Sequence, residues 1–243
     1  MALHGKKYAG DLWGRKYGST DAFQKLGNLT ELKATTKSKT ETLPSTGKND
    51  YGQAIEVETI PEPTEISLKF NTFDKDGLAR ALMGTAYDLT TSPVTFADEE
   101  HIVSTGGIKL ANKDIDPATL VLTDDRGGTI DKTTYSVNAR LGMVEFNATS
   151  KLLAGAKFKA AGKTKASAGF MINASTLQSL PLEMYLDGKD RISGKDGIVD
   201  MPHAVLAAEG DIDFMSDKWW ESGLKGTLVK DDGKESMTFT EYA

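Results

Sequence analysis

One stretch of this chain changes its hydrophobic period in mid-course, and that change constrains the fold more than anything else in it. In Thr64-Glu-Ile-Ser-Leu-Lys-Phe-Asn-Thr-Phe73, the apolar Ile66, Leu68 and Phe70 alternate with Glu65, Ser67, Lys69 and Asn71. That is the period-two pattern of a half-buried strand. From Asp74 the period lengthens: Leu78 and Leu82, and Ala79 and Met83, stand four apart, so these side chains fall on one helical stripe. Asp74 or Asp76 is expected to cap the helix by accepting an orphan backbone N–H, and Gly84 to end it in the left-handed conformation. Two or three turns are marginal alone, so the helix must dock on a sheet. Almost everything else reads as β. One compact helix set into a β chain without a catalytic constellation points toward assembly, not chemistry.

Around this unit the chain is punctuated as follows. Residues 1–27 carry Tyr8, Trp13, Tyr17 and Phe23 among Gly and Lys and read as an arm that packs through its aromatics without forming a stable element. Residues 29–43 are Thr-rich and suit one long strand, yet from Lys33 to Thr42 neither face is apolar. Such a strand stays solvated, pairs with a neighbouring subunit or lines a wet channel. Residues 44–53, Pro-Ser-Thr-Gly-Lys-Asn-Asp-Tyr-Gly-Gln, are rich in turn formers, and a strand resumes from Ile55 to Ile60. A hairpin with a long polar loop over 37–54 is expected, its tip mobile alone and ordered on a partner.

Short apolar runs at 94–96, 102–104, 108–110, 120–123, 135–137, 143–146 and 155–160 predict a small β-sandwich module over 94–165, closed by a linker at 162–169. The remaining chain, 1–93 and 166–243, forms the main body, with strands near 169–173, 182–186, 199–207, 224–229 and 237–240 and tight turns at Asp187-Gly188 and Asp232-Gly233.

With 243 residues, 39% of them hydrophobic, the chain can bury a sizeable core. It has no cysteine, which excludes disulfides and thiolate chemistry. The opening Met-Ala-Leu-His-Gly-Lys-Lys-Tyr lacks the apolar stretch of a signal peptide, and no run approaches the roughly 20 apolar residues that cross a bilayer. We therefore expect use without secretion and no membrane partner, and read the Asn-x-Ser/Thr triplets at Asn28, Asn147 and Asn173 as chance. The net charge of −6 is uneven: residues 1–39 sum to +5 and residues 181–243 to −7. Ordinarily this is solvated surface; it also describes a polar particle whose ends attract when stacked. An acidic chain is not expected to grip DNA by its phosphates.

Four features together resemble the tail tube (major tail) proteins of long-tailed bacteriophages. They are the strand–helix–Gly unit of 64–84, the polar hairpin before it, Tyr135-Ser-Val-Asn-Ala-Arg-Leu-Gly-Met-Val144, and Leu224-Lys-Gly-Thr-Leu-Val-Lys-Asp231 after Trp219. The resemblance implies a mainly β fold: a tail-tube-like β-sandwich or barrel with one short flanking helix, here carrying an inserted or appended β module. It implies a homo-oligomer of hexameric rings stacked head to tail into a conduit for DNA ejection, in a virion tail assembled in the host cytoplasm. Other tail proteins (tape measure, tail terminator, distal tail protein) would be partners, and DNA would pass without specific binding. On this reading Trp13, Tyr17, Lys37, Lys39 and Tyr51 contact adjacent subunits, and Glu56, Glu58 and Glu65 face an acidic lumen.

Chemistry is weighed against this and set aside. Gly162-Lys163-Thr164 ends like a phosphate loop, but position 157 is Lys where the motif needs Gly. Asp187-Gly-Lys-Asp190 and Asp196-Gly197 lack the spacing of a calcium loop and its closing Glu. His4, His101 and His203 have no metal spacing, and His101 beside Glu99 and Glu100 reads as surface. No Gly-x-Ser-x-Gly occurs. The pair Trp219-Trp220 reads as packing, one ring to the core and one to an interface, before sugar stacking. No catalytic residue, cofactor or metal is expected. The rival function is an immunoglobulin-like receptor- or glycan-binding decoration or adhesion protein with ligand contacts on 94–165; an enzyme comes third.

Overall fold

The computed structural model describes residues 5–242. Strands make up 51% of it and helix 4%, so the fold is mainly β. In chain order, β1 (Tyr8–Lys16), β2 (Gln24–Lys25), β3 (Leu29–Thr35), β4 (Ser38–Pro44), β5 (Ala54–Pro61) and β6 (Glu65–Phe70) precede α1 (Lys75–Ala81). There follow β7 (Thr85–Thr91), β8 (Thr95–Ile102), β9 (Ile108–Lys109), β10 (Val121–Asp124), β11 (Tyr135–Asn138), β12 (Met143–Phe146), β13 (Lys157–Lys163) and β14 (Ser167–Asn173). The last strands are β15 (Leu180–Asp190), β16 (Asp196–Glu209), β17 (Ser222–Leu228) and β18 (Thr238–Glu241). The chain divides into two compact units, one running to Ala86 and resuming at Ile172, the other Tyr87–Met171. The division falls within β7 and β14, which pair with each other as a separate two-stranded ribbon.

The first unit is built on one eight-stranded sheet, in the order β2-β1-β15-β16-β17-β6-β3 with β18 also on β16. No closed barrel forms among the described residues, because the path ends on β2 at one side and β3 at the other. One face buries Leu12, Ile66, Leu68, Met184, Met201, Leu206 and Leu224. The alternation of β6 does what its pattern predicts, with Ile66, Leu68 and Phe70 inward.

Asp74 caps α1, accepting from the Gly77 amide at 2.6 Å. The helix stops one residue earlier than its glycine implies. Met83, with φ of 48°, takes the left-handed position; its amide donates to Arg80 O and that of Gly84 to Ala79 O, the paired bonds of a Schellman ending. Gly84 serves a different need: a Cβ there would lie 2.5 Å from Asn173 O. The helix packs against β17.

Three sequence expectations fail for tertiary reasons. The aromatic arm is in fact a nine-residue strand, β1, paired in register along β15 from Tyr8↔Asp190 to Lys16↔Leu182. Its glycines hide this, because they lower strand propensity while permitting close approach: a Cβ on Gly10 would stand 2.3 Å from Asp187 O. Asp187-Gly188 is no turn. Gly10, Gly188 and Gly197 form a row across β1, β15 and β16, and the Tyr8 ring lies over it, 2.8 Å from where a Cβ of Gly197 would be. The turn comes later, at 191–195. The long strand over 29–43 breaks at Thr36-Lys37: β3 joins the main sheet, whereas β4 leaves it to pair with β5 alone. By contrast, Asp232-Gly233 makes its turn, with Gly233 at φ 75°.

The second unit stacks two three-stranded antiparallel sheets, β10-β13-β8 and β11-β12-β9, around a separate core that includes Leu122, Phe158, Ala160, Ile108, Tyr135 and Val144. Phe146 and Phe158 meet edge to face at 5.2 Å between the sheets. The polar 97–101 stretch is spanned by one continuous strand, β8, where two short ones were expected. The expected linker at 162–169 is mostly strand, Gly162 and Lys163 closing β13 and Ser167 opening β14.

Candidate assembly surface

The β4–β5 hairpin is unlike every other paired strand of its unit. Every residue of both strands is exposed, and they form a two-stranded sheet with no further neighbour among the described residues. Residues directly opposite share a face. The register therefore puts Lys39, Glu41, Leu43, Glu56, Glu58 and Ile60 on one side and Ser38, Thr40, Thr42, Val57, Thr59 and Pro61 on the other. One face is acidic, three glutamates against one lysine, and Glu41 stands directly across from Glu58. The other is threonine with Val57, and a bulge between Leu43 and Pro44 adds the exposed Ile55. Two long strand edges remain unpaired. Such edges invite pairing with another chain, and a lone two-stranded hairpin is at best marginal in water.

The tip is short and self-closed. Ser45, buried in an otherwise exposed ribbon, donates its amide to Gln53 O at 2.7 Å, accepts from Gly52 N at 2.8 Å and takes the Gly47 amide on Oγ at 3.0 Å. The loop is thus 45–53; the expected 37–54 includes β4. At the base, Glu62 N donates to Lys37 O and the Lys37 ammonium binds Glu65 at 2.8 Å. That hydrogen bond holds Glu65 below the usual carboxylate range and Lys37 above its own.

The sequence-derived interface and lumen residues are therefore distributed unevenly. Glu56 and Glu58 share the acidic face with Lys39, which pairs with Glu41 at 2.7 Å. Glu65 sits instead on β6, in the main sheet. Tyr51 is 80% exposed at the tip. Trp13, 39% exposed, lies across from Tyr185 and Lys25. Tyr17 is engaged within its own chain: its ring stacks on His203 at 3.6 Å and its hydroxyl donates to Asp231 Oδ2 at 2.8 Å, while His203 Nδ1 meets Asp231 Oδ1 at 3.0 Å. These bonds hold Asp231 low and, with burial, raise the Tyr17 hydroxyl.

His101 behaves differently from its sequence reading. His101 is not a surface residue; it is largely buried, stacks on Phe158 and bonds Glu99 at 2.7 Å. His4 lies outside the described residues. No group of three or more His, Asp or Glu among the described residues has the geometry to hold a metal ion. No helix among them is long and apolar enough to cross a membrane. The tryptophan pair splits: Trp220 packs edge-on against Phe214 and Phe73, and Trp219 is 92% exposed. The acidic loop that carries them also exposes Phe214 and Met215, which gives it the character of a contact surface, and the neighbouring Trp pair is the signal for it in the sequence.

No curated protein matches the chain. One family model, described as "Protein of unknown function UCP028589", matches residues 4–243, and the chain belongs to that family.

Proposed function

We propose that this chain is a structural subunit of the phage tail tube kind, assembling into stacked rings whose bore conducts DNA. The observation that carries the reading is the β4–β5 ribbon: solvated on both faces, unpaired along both edges among the described residues, with Glu41, Glu56 and Glu58 on one face and its threonines on the other. Its own chain buries neither of its faces and pairs neither of its outer edges among the described residues. Ribbons from sister copies, paired edge to edge, would complete a sheet around a water-filled bore and remove the edges. The face with Glu41, Glu56 and Glu58 suits that bore, since it repels a polyanion, and the Val57 face suits packing against neighbouring subunits. The number of copies per ring, the tail-protein partners and the place in a virion follow from the family resemblance alone.

Negative-stain microscopy of the purified chain tests this. Rings or tubes with a central bore are expected; a species monomeric at every concentration overturns it. A second reading, a receptor- or glycan-binding module, draws support from the separate sandwich core of the second unit. Glycan-array binding by a monomer or trimer would favour it.

A further inference from the structure

The most exposed large hydrophobic side chains of the first unit lie on the loop 210–221, between β16 and β17. Met215 and Trp219 are each 92% exposed and Phe214 60%, and the loop carries four acids, Asp211, Asp213, Asp217 and Glu221, against Lys218 alone. None of these charges is paired with an opposite one among the described residues. Trp220 anchors the loop from beneath, on Phe73 and Phe214, so the Trp219 ring is presented rather than loose.

The other end of the same strand has the opposite character. β15 and β16 are joined by a turn over 191–195, where Ile192 is 61% exposed between the exposed Arg191 and Lys195. Lys7 is fixed beside it, its carbonyl accepting from Arg191 N at 2.7 Å. Neither Lys7 nor Arg191 has a carboxylate partner for its side chain among the described residues. Of the acids beside the turn, Asp190 is 1% exposed and faces inward, accepting from the amides of Lys7 and Ile192 and the Ser193 hydroxyl, while Asp196 pairs with Lys189 and Glu241 with Lys6 and Lys195.

We propose that the loop 210–221 of one copy docks on the turn 191–195 of the next, Trp219 and Met215 covering Ile192 while the loop's acids meet Lys7 and Arg191. The inference rests on the tube reading and names the stacking contact within it. The occupant is a second copy because the two surfaces are complementary in charge, and because they cannot meet within one chain: the 14 residues of β16 that separate them span about 45 Å of extended strand. A contact between different patches of identical copies is heterologous and propagates end to end. An exposed Trp in a charged surround is the usual anchor of such an interface, and the opposed charges set its direction.

Two variants of the full chain test it, Met215→Ser with Trp219→Ala in the loop and Arg191→Glu with Ile192→Ser in the turn. All four positions are exposed, so melting temperatures are expected to match the wild type. Each variant is expected to lose stacking, with every contact weakened about 30-fold, and to leave single rings. An equal mixture restores one junction only and gives pairs of rings. Tubes of wild-type length from both variants overturn the contact and leave the tube reading standing. Should wild type form no rings, the tube reading falls first. The contact is then read by sedimentation: association in the mixture but in neither variant alone sustains it, and none in the mixture overturns it.

Discussion

Two long hairpins in the first unit have nearly ideal antiparallel register and opposite fates. In β15–β16, Leu180↔Leu206 through Lys189↔Asp196 are paired, alternate residues are buried, and both outer edges carry further strands, β1 on one side and β17 and β18 on the other. In β4–β5 the pairing runs from Ser38↔Pro61 to Pro44↔Ala54 with no strand residue buried and no further strand alongside among the described residues. Backbone hydrogen bonds are similar in the two, and each contributes only about 1 kcal/mol net. The difference is apolar burial. The first hairpin is held by the core it makes; the second is held by its register, its Ser45-closed tip and the Lys37–Glu65 clamp. On the proposed function, such a ribbon is kept for what it does between sister copies.

Replacing residues 39–60 by a short Gly-Ser turn breaks the comparison most directly. Assembly is expected to disappear entirely, while the melting temperature of the subunit stays within a few degrees, because no core residue is lost. Normal tubes from this variant, seen by microscopy, would show the ribbon to be dispensable. The converse is Leu206→Ala on β16. Leu206 is among the largest fully buried side chains, so the substitution is expected to cost about 3 kcal/mol in denaturant unfolding and to remove assembly only through loss of the fold.

The buried hairpin also carries a penalty the exposed one escapes. Asp200, on β16, has a carboxylate oxygen without a hydrogen-bond partner, and burial, then the charge of Glu183, raise its pKa. A raised folded-state pKa means that the folded protein binds the proton more tightly. The cost is therefore absent below the ordinary value of 3.8 and fully present once pH exceeds the folded-state value. Asp200→Asn is expected to stabilise at pH 7 by about 1 kcal/mol, with the gain vanishing below pH 3.8. At the far end of the hairpin, Asp190 has the opposite sign. Its hydrogen bonds, Ser193 first, lower its pKa to about 2, so its contribution is present above 3.8 and lost as pH falls toward 2. Asp190→Asn lowers the melting temperature at pH 7, and the difference narrows in acid. Melting curves from pH 2 to 7 separate the two.

How much of this was legible in the sequence depends on whether the signal was local. The β6–α1 switch was readable because its alternation, its Asp74 cap and its helical stripe are fixed by neighbours in the chain. The solvated ribbon was readable because a strand with no apolar face announces itself by what it lacks. β1 was not, since Gly10 and Gly14 erase its alternation and only the surfaces of β15 and Leu26 explain them. Met83 takes the left-handed position expected of Gly84, and the glycine serves close approach to Asn173, 89 residues further along the chain. Asp187-Gly188 misled for the same reason: a glycine row across three strands looks, one strand at a time, like a turn. Of the residues expected at an interface, Tyr51 and Lys39 are exposed, which their polar surroundings hint at, whereas the intrachain engagement of Tyr17 with His203 and Asp231 is a tertiary fact with no local trace.

The smallest expected effect sharpens the comparison at one residue pair. Glu41 and Glu58 stand opposite each other on the ribbon, an arrangement that costs stability in an isolated hairpin. In a buried hairpin such a pair would be severe; on a solvated ribbon, screened by water and salt, it is a few tenths of a kcal/mol. Glu58→Lys should therefore stabilise the free subunit by at most about 0.5 kcal/mol, and less at high salt. If the acidic face lines a bore, the same change has a cost elsewhere: tubes of the variant should retain short duplex DNA at low ionic strength and release it as salt rises, because each added lysine recruits phosphates by releasing counterions. Wild-type tubes should not retain it at either. Equal DNA retention by the two at low salt would place the glutamates away from the bore, and leave a destabilising charge pair on the ribbon without a function to account for it.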